Sequence, residues 1–361
     1  MAQAKNLAII LIVTLISTSL VWWKIGLNTT RQNFDGPYYA VVAKSFYNPQ
    51  IIRYNFSFPL PLEYYAAHFP LYPLLMRLAD DFTGIGYLNA GIVINLVASV
   101  AAAAAIYMVS HKLKLPSPLS LSLIWLFWWP RMWAVRSIAS PETLFILFLV
   151  LSLYFFDLRK YWLAGIAGVG ATLTKSPGIL LFAGYSLWAA AEYFKNKKWE
   201  GKIWPILLIP LSVVGLFGFY YLKTGDFWAY FHSGDNIHLQ LLPFQVFDSR
   251  QPWVGDFWLE DILWVYLIGG IGVWQAFKKN QVWGCFGIVF YTSILFVSHR
   301  DISRYSLPLV PVVLVGLAQA LDKKEVRWIF GLLVVPIFFY TVNFLSHNTV
   351  AISNWAPFFA K

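Results

Sequence analysis

Cysteine is nearly absent from this sequence. The one cysteine among 361 residues, Cys285, lies inside an apolar run. A single thiol cannot build a disulfide framework within the chain, and it cannot supply a thiolate cluster with metal-ligand spacing. The sequence therefore argues against a disulfide-stabilised fold and against a structural zinc site.

Charged residues are also scarce. They make up 12% of the chain, about half of the roughly 25% that is usual in soluble domains, while 59% of residues are apolar and 19% aromatic. This composition excludes an ordinary soluble enzyme. The formal charge of +10 is spread in ones and twos between apolar runs rather than gathered on one basic face, so no nucleic-acid partner is predicted.

Apolar runs fill much of the remaining sequence. A membrane-spanning helix needs about 20 mostly apolar residues, and its backbone must hydrogen-bond internally because lipid offers no partners. The sequence predicts an all-α, polytopic integral membrane protein with one domain over 1–361. About eleven spans are expected, at 6–23, 82–110, 115–130, 143–156, 161–174, 176–191, 203–222, 262–277, 280–298, 305–321 and 328–346.

Lysine and arginine concentrate in short, alternating loops. With a cytoplasmic N-terminus, the inner segments carry 14 Lys and Arg against 5 Asp and Glu, which is typical of the cytoplasmic side. Both long loops, 24–81 and 223–261, then lie on the non-cytoplasmic face, where their aromatic residues and prolines suit interfacial helices. The five short inner loops are His111–Lys114, Asp157–Lys160, Glu192–Lys202, Lys278–Asn280 and Asp322–Arg327.

The first long loop contains two segments that could carry chemistry. In Phe34-Asp35-Gly36-Pro37-Tyr38-Tyr39 the Asp35 carboxylate can be held near the bilayer surface, although it could instead be only the N-cap of a helix that Pro37 starts. Farther on, Glu63 precedes a His-Phe-Pro-Leu-Tyr-Pro block between His68 and Arg77, whose prolines break a helix at the membrane edge. That block also fits an aromatic interfacial belt.

Together these segments resemble the first luminal loop of the GPI mannosyltransferase II family, within the C-type (GT-C) glycosyltransferase superfamily. Phe34 stands where the family usually has Trp. Later segments are similar to the family in order and spacing, although Lys175 replaces an Arg and lacks its bidentate fork. These segments are Ser140–Phe145, Ala171–Gly178, Thr224–Tyr230 and, as in many C-type enzymes, His299–Tyr305.

The resemblance implies an inverting glycosyltransferase, specifically a mannosyltransferase, that takes its sugar from a polyprenyl-phosphate donor on the non-cytoplasmic face. Asp35 would be the general base that deprotonates the acceptor hydroxyl. Cations must meet the negative charge of the leaving phosphate, and the candidates are Arg136, Arg304, His299, Arg131 and Lys175. The candidates for acceptor or sugar binding are Tyr38, Glu63, His68, Arg77, Glu142 and Asp226.

Cofactor use stays open, because some C-type enzymes need a divalent cation and others do not. The first loop has no Asp-x-Asp motif, which argues against a metal, but Glu63, Asp226 and Asp235 are candidate ligands. The expected partners are the lipid-linked donor, the bilayer, and a glycolipid, glycan or protein acceptor. A monomer in a prokaryotic plasma membrane is expected.

Two alternatives remain open at this stage. A lipid-linked sugar flippase or a transporter would also bind the carrier, but it would not need Asp35 as a base. A transporter predicts ionisable residues near mid-span, whereas here they collect at one face. A protein O-mannosyltransferase or an aminoarabinose transferase would share the architecture and differ in its acceptor.

Overall fold

The protein is almost entirely helical in the residues that the computed structural model describes, which are 2–56, 60–197, 200–234, 238–256 and 259–359. Within these ranges, strand-like pairing is limited to two isolated β-bridges, Asn33 with Thr349 and Leu239 with Val297. The predicted all-α fold class is confirmed.

The described residues form nineteen α-helices joined by turns and short 3₁₀-helices. The first ten are α1 (Ala2–Ile25), α2 (Leu27–Arg31), α3 (Gly36–Ser45), α4 (Pro49–Asn55), α5 (Leu71–Thr83), α6 (Tyr87–Lys112), α7 (Pro118–Trp125), α8 (Pro130–Arg136), α9 (Glu142–Asp157) and α10 (Tyr161–Thr174). The others are α11 (Leu180–Asn196), α12 (Leu208–Thr224), α13 (Ala229–His232), α14 (Glu260–Lys279), α15 (Gln281–Leu295), α16 (Ile302–Tyr305), α17 (Val310–Leu321), α18 (Lys324–His347) and α19 (Ala356–Phe359). The 3₁₀-helices are Leu62–Ala67, Ser176–Ile179, Gly201–Leu207, Gln245–Phe247 and Leu307–Leu309.

Several of these helices match the thickness of a bilayer. In the described ranges, five helical segments are long and apolar enough to cross a membrane, and shorter apolar helices accompany them. Each predicted span overlaps at least one helix, which fits a polytopic integral membrane protein. The five long segments are Gln3–Ile25, Tyr87–Lys112, Gly201–Thr224, Ile302–Leu321 and Lys324–His347.

The five positively charged loops lie at one end of the helix bundle. The Asp157 carboxylate lies 3.1 Å from the Lys112 ammonium and accepts a hydrogen bond from Asn280 at 2.7 Å. The remaining contacts between these loops join Arg159 to Glu200 at 3.3 Å and Ser117 to Asp322. The structure therefore groups these loops as the charge pattern predicts, and the long loops emerge at the opposite end.

The predicted span 115–130 is not one continuous helix. α7 ends at Trp125 after eight residues, and α8 begins only at Pro130. Eight helical residues rise about 12 Å, far less than the roughly 30 Å hydrocarbon core. This crossing is instead made by two short helices with a turn between them, so the prediction of an unbroken helix is corrected here.

Neighbouring side chains hydrogen-bond the carbonyl groups at the C-terminal end of α8, where the helical backbone stops again. Asn95 in α6 donates to the carbonyl oxygens of Val135 and Ile138 at 2.7 and 2.5 Å. The Trp22 indole in α1 donates to the carbonyl of Ser137 at 2.6 Å. Irregular backbone at membrane depth is tolerated where protein groups satisfy it, and α1 and α6 provide those groups.

Arg136 belongs to the same network rather than to a phosphate site. Its Nε donates to the carbonyl of Leu126 at 2.8 Å, and its two terminal nitrogens donate to the hydroxyls of Thr18 and Ser17 at 2.7 and 2.8 Å. The side chain is 1% exposed. The sequence-based assignment of Arg136 to the donor phosphate is therefore not supported by its position, because the guanidinium is already used to join α1 to the helix break.

We expect Arg136→Lys to destabilise the protein. An ammonium keeps the buried charge but cannot reproduce the three-way fork, and each lost hydrogen bond to a charged group costs about 1.5–3 kcal/mol. The midpoint of thermal unfolding in detergent, followed by tryptophan fluorescence, should fall. The matched control is Arg159→Lys, at a side chain that is 55% exposed. An equal midpoint for Arg136→Lys and wild type would contradict the role of Arg136 in the break.

Candidate active site

Asp35 is the residue immediately before α3. It occupies the N-cap position, but its side chain makes no capping hydrogen bond. Instead its Oδ2 accepts a hydrogen bond from Nη2 of Arg304 at 2.7 Å. The two residues are 269 positions apart. Helix capping therefore does not account for this carboxylate, which is held in a tertiary ion pair.

Close packing at Gly36 brings Asp35 towards the start of α9. A Cβ atom at Gly36 would lie 3.1 Å from both the Cβ and the carbonyl oxygen of Ala139, which is tighter than nearly all real contacts. The absence of a side chain thus lets α3 rest against the segment that leads into Glu142. This explains why a glycine follows Asp35.

Glu142 is the buried centre of the ion cluster. Its side chain is 1% exposed, and Oε1 accepts hydrogen bonds from Nε of Arg304 at 2.7 Å and Nζ of Lys175 at 2.5 Å. Ser140 donates to Oε2. The sequence analysis assigned Glu142 to acceptor binding, but its oxygens are already occupied by these three donors. Its position fits an anchor that holds two cations beside Asp35.

Lys175 reaches Glu142 because the chain turns sharply after α10. The turn runs into the 3₁₀-helix Ser176–Ile179, which folds back onto the last turns of α10. At Gly178 a Cβ atom would lie 2.4 Å from the backbone nitrogen of Thr172, so no larger residue fits without movement of the backbone. The glycine is thus required for the packing of this turn, and the turn determines where the Lys175 side chain points.

Arg131 and Asp301 form a second ion pair beside the first. Nη2 of Arg131 lies 2.7 Å from Oδ1 of Asp301, and the guanidinium stacks 3.8 Å from the ring centroid of Phe344. Nε and Nη1 of Arg131 are buried and have no hydrogen-bond partner among the described residues. Burial raises the pKa of the Asp301 carboxyl above its ordinary value, although Arg131 opposes the shift. Arg131 therefore has two donors available for a ligand.

Two neighbouring cavities lie beside these ion pairs. The first, called here the apolar groove, has a volume of about 460 Å³ and lies between α8, α14 and α18. Several of its lining side chains, including Trp264 at 61% and Leu333 at 41% exposure, face outward where lipid would be. The second, the central cavity, has a volume of about 540 Å³ and contains Asp35 and Arg304. Both are lined by Arg131, Asp261 and Ser303.

A third space, the aromatic cavity, lies on the other side of the Asp35–Arg304 pair. Its volume is about 220 Å³, and it shares Asp35, Arg304 and His299 with the central cavity. The rest of its wall is rich in aromatic rings and hydroxyl groups, contributed by Tyr39, Tyr64, His68, Tyr230, Ser176 and Tyr305. Asp35 is therefore accessible from two chambers of different chemistry.

The remaining predicted site residues fall into three groups. His299 and Tyr38 line the central cavity, and buried His68 lines the aromatic cavity. Arg77 is placed away from the cluster: its side chain is 43% exposed and lies 4.0 Å from Asp81 in the same helix. The structure thus does not bring Arg77 to the site as predicted.

Glu63 and Asp226 come together, but in a separate cavity that is described below. Asp235 lies outside the described residues. No group of three or more His, Cys, Asp or Glu side chains that could hold a metal ion occurs in the ranges that the structure describes. The two predicted carboxylates therefore line a cavity that does not contain Asp35.

Sequence analysis missed two contributors to the central cavity. Asp301 was seen only as part of the His299–Tyr305 segment, and its ion pair with Arg131 is visible only in three dimensions. The segment Asn348–Val350 also lines the cavity. It is held there because Asn348 and Val350 form backbone hydrogen bonds with Phe34 and Gln32, at 3.3 and 2.7 Å. No motif marks this segment.

Comparison with known proteins establishes the fold. No family model and no curated protein matches the sequence. The structure is similar to the crystal structure of ArnT from Cupriavidus metallidurans in the apo state, with a TM-score of 0.57 and 14% identity over 90% of this chain. It is also similar to the same protein bound to undecaprenyl phosphate, with a TM-score of 0.54 and 12% identity over 90% of this chain.

The chain spans 62% and 63% of the length of these two ArnT structures. These similarities are in the fold, so the predicted C-type superfamily stays a prediction that the fold supports. The narrower resemblance to GPI mannosyltransferase II stays a prediction.

Proposed function

We propose that this protein is an inverting glycosyltransferase that uses a polyprenyl-phosphate sugar donor on the non-cytoplasmic face. One observation carries the proposal: an outward-facing apolar groove and a polar cavity that holds Asp35 and Arg304 share Arg131 in their linings. A ligand with a long apolar tail and a phosphate head matches this sequence of environments. The similarity to ArnT, one of whose structures contains undecaprenyl phosphate, supports the same class of donor.

The donor would bind with its isoprenoid tail in the apolar groove and its phosphate at Arg131. Nε and Nη1 of Arg131 are buried and have no hydrogen-bond partner in the described residues. They lie on different edges of the guanidinium, so each would donate a single charge-assisted hydrogen bond to a phosphate oxygen. Arg300 and His299 line the same cavity. The sequence analysis had both Arg131 and Arg136 among its phosphate-binding candidates, and this proposal gives the role to Arg131.

The acceptor would enter from the aromatic cavity. Tyrosine rings and hydroxyl groups suit a sugar, which has both apolar faces and hydroxyls. Asp35 lies between this cavity and the donor, so it can take the proton of the acceptor hydroxyl as the oxygen attacks C1 of the donor sugar. The bond from C1 to the phosphate oxygen then breaks, the anomeric centre inverts, and the carrier phosphate leaves with the bond electrons.

Arg304 and Lys175 would support this reaction through their contacts with Asp35 and Glu142. Arg304 donates to both Asp35 and Glu142, so it sets the distance between the base and the buried anchor. Arg304 lines the central cavity with Arg131, so its fixed charge can stabilise the negative charge that develops on the leaving phosphate. Lys175 lines only the aromatic cavity, so it would contribute by neutralising Glu142 and not by contact with the phosphate, as the sequence analysis had proposed. The transferred sugar is proposed to be mannose on the strength of the family resemblance.

We expect Ile268→Trp to discriminate between donors by the length of their carrier. Ile268 lines the apolar groove, so a larger side chain there should exclude part of a long tail. The KM for a C55 polyprenyl-phosphate donor is expected to rise about tenfold, equivalent to about 1.4 kcal/mol of lost apolar contact. The KM for a C10 donor should change little.

The matched control for this experiment is Leu267→Trp. Leu267 is the neighbouring residue in α14, is 52% exposed and does not line the groove. Steady-state transfer kinetics in proteoliposomes provide the measurement. If Ile268→Trp and Leu267→Trp change both donors equally, the apolar groove does not hold the carrier.

A further inference from the structure

A fourth cavity, called here the interfacial cavity, lies among the outer helices and shares no lining residue with the three cavities already described. Its volume is about 250 Å³. It is bounded by α4, the 3₁₀-helix Leu62–Ala67, the end of α12 and the start of α13. The volume is sufficient for one monosaccharide unit but small for a folded peptide segment.

The cavity has an aromatic floor and a polar rim. Tyr47 and Tyr65 are buried at its base, while Arg53 and Glu63 are exposed at its edge together with half-buried Asp226. Two carboxylates against one guanidinium leave a net negative rim, which disfavours a phosphate or another anion. Carboxylates that accept hydroxyl hydrogen bonds above tyrosine rings are instead suited to a neutral sugar.

The Asp226 carboxylate is held in a fixed orientation. Its Oδ1 accepts the backbone N–H of Trp228 at 2.8 Å, and its Oδ2 contacts Nδ1 of His232 at 2.6 Å. The hydrogen bond with His232 is the main reason that the pKa of Asp226 lies below its ordinary value. A carboxylate fixed in this way is ordered before a ligand arrives, which reduces the entropy lost on binding.

An independent observation points to a ligand in the same place. The Tyr65 side chain is 1% exposed and lines the cavity, yet its hydroxyl has no hydrogen-bond partner among the described residues. A buried hydroxyl without a partner costs about 1–3 kcal/mol. The hydroxyl lies beneath the cavity surface, so a sugar hydroxyl would supply the missing partner once the Tyr65 ring shifts towards the cavity on binding.

Only a thin wall separates this cavity from the aromatic cavity. Along the 3₁₀-helix Leu62–Ala67, Tyr64 lines the aromatic cavity whereas its neighbours Glu63 and Tyr65 line the interfacial cavity. α13 alternates in the same way between Ala229 and Tyr230. A carbohydrate chain whose reacting unit lies against Tyr64 would thus pass the interfacial cavity within one or two sugar units.

We propose that the interfacial cavity is a second carbohydrate subsite, which binds a neutral hexose unit of the acceptor away from its reacting hydroxyl. The proposal rests on the proposed glycosyltransferase function and specifies the acceptor as an oligosaccharide, free or lipid-linked, rather than a protein hydroxyl. Glu63 and Asp226 accept hydrogen bonds from the sugar, and Tyr65 donates one.

The test is direct binding of neutral trisaccharides to the full-length protein in nanodiscs, measured by saturation-transfer NMR. The probes are mannotriose, maltotriose and galactotriose. Wild type should bind at least one of them, and the double variant Glu63→Gln/Asp226→Asn should bind it at least about tenfold more weakly, because hydrogen bonds to charged acceptors are lost. Glu200→Gln, at the opposite end of the bundle, is the matched control and should bind as wild type does.

The Asp35→Asn variant separates failure of this inference from failure of the proposed function. It leaves the interfacial cavity intact, so it should still bind the trisaccharide even though it has lost transfer activity. Binding of no trisaccharide, or equal binding by wild type and the Glu63→Gln/Asp226→Asn variant, would contradict the proposed subsite. Neither result would contradict a measured transfer activity. Binding together with full transfer by Asp35→Asn would instead overturn the role of Asp35.

Discussion

Replacing Asp35 with asparagine is expected to lower sugar transfer by about 10²–10⁴-fold, the usual contribution of a general base. The amide cannot accept the acceptor proton at the point where the central and aromatic cavities meet. The fold should persist, because Arg304 keeps its hydrogen bond to Glu142 when its contact with Asp35 is weakened. Transfer from mannosyl-phosphoryl-polyprenol in proteoliposomes is the measurement, with the unfolding midpoint recorded in parallel.

The matched control for Asp35→Asn is Asp81→Asn, at a carboxylate that is 57% exposed in α5 and should leave transfer unchanged. The same pair of variants separates an enzyme from a flippase. A flippase would move the lipid-linked sugar across the bilayer equally well with Asp35→Asn, since translocation requires no base. Retention of most of the transfer activity by Asp35→Asn would remove Asp35 from the proposed mechanism.

Replacing Arg304 with methionine is expected to reduce both stability and transfer. Arg304 is 12% exposed and Glu142 is 1% exposed, so the substitution leaves a buried carboxylate with Lys175 as its remaining cation. Removing one partner of a buried ion pair typically costs about 3–5 kcal/mol. The unfolding midpoint should fall clearly, and transfer by the folded fraction should fall by at least about 100-fold, because Asp35 loses its partner and the leaving phosphate loses a cation.

The double variant Arg304→Met/Glu142→Gln tests the cause of this instability. Glutamine removes the uncompensated charge, so the double variant should recover at least half of the stability lost in Arg304→Met. Transfer should not recover, because Asp35 still lacks its partner. Equal unfolding midpoints for Arg304→Met and the double variant would show that Glu142 is not the source of the cost.

Hydropathy and charge predicted most of the fold for physical reasons. A helix that crosses lipid must be apolar over its whole length, so spans such as Tyr87–Lys112 are visible in the sequence. The charge of the loops predicted which helix ends lie on the same side of the bundle, and the contact between Lys112 and Asp157 agrees with this. The break after Trp125 could not be predicted from the sequence, because an apolar run indicates burial but does not show whether the helical backbone hydrogen bonds continue.

The site was predicted less completely than the fold. The family resemblance identified Asp35, Lys175 and Arg304, which the structure brings together around Glu142. It could not rank the cations, because the use of a guanidinium depends on its partners. Arg136 donates to backbone and hydroxyl oxygens within the bundle, whereas Arg131 keeps two buried donors without partners among the described residues.

The helix break has a consequence for how the chain is assembled. The segment that begins with α7 ends where α8 stops, and the carbonyl groups there, which lipid cannot satisfy, depend on Trp22 in α1 and Asn95 in α6 for donors. Both of these helices precede the segment in the chain, so a ribosome completes them first. During insertion the segment therefore finds its partners already in the bilayer, and it can leave the translocon by docking onto protein instead of entering lipid alone.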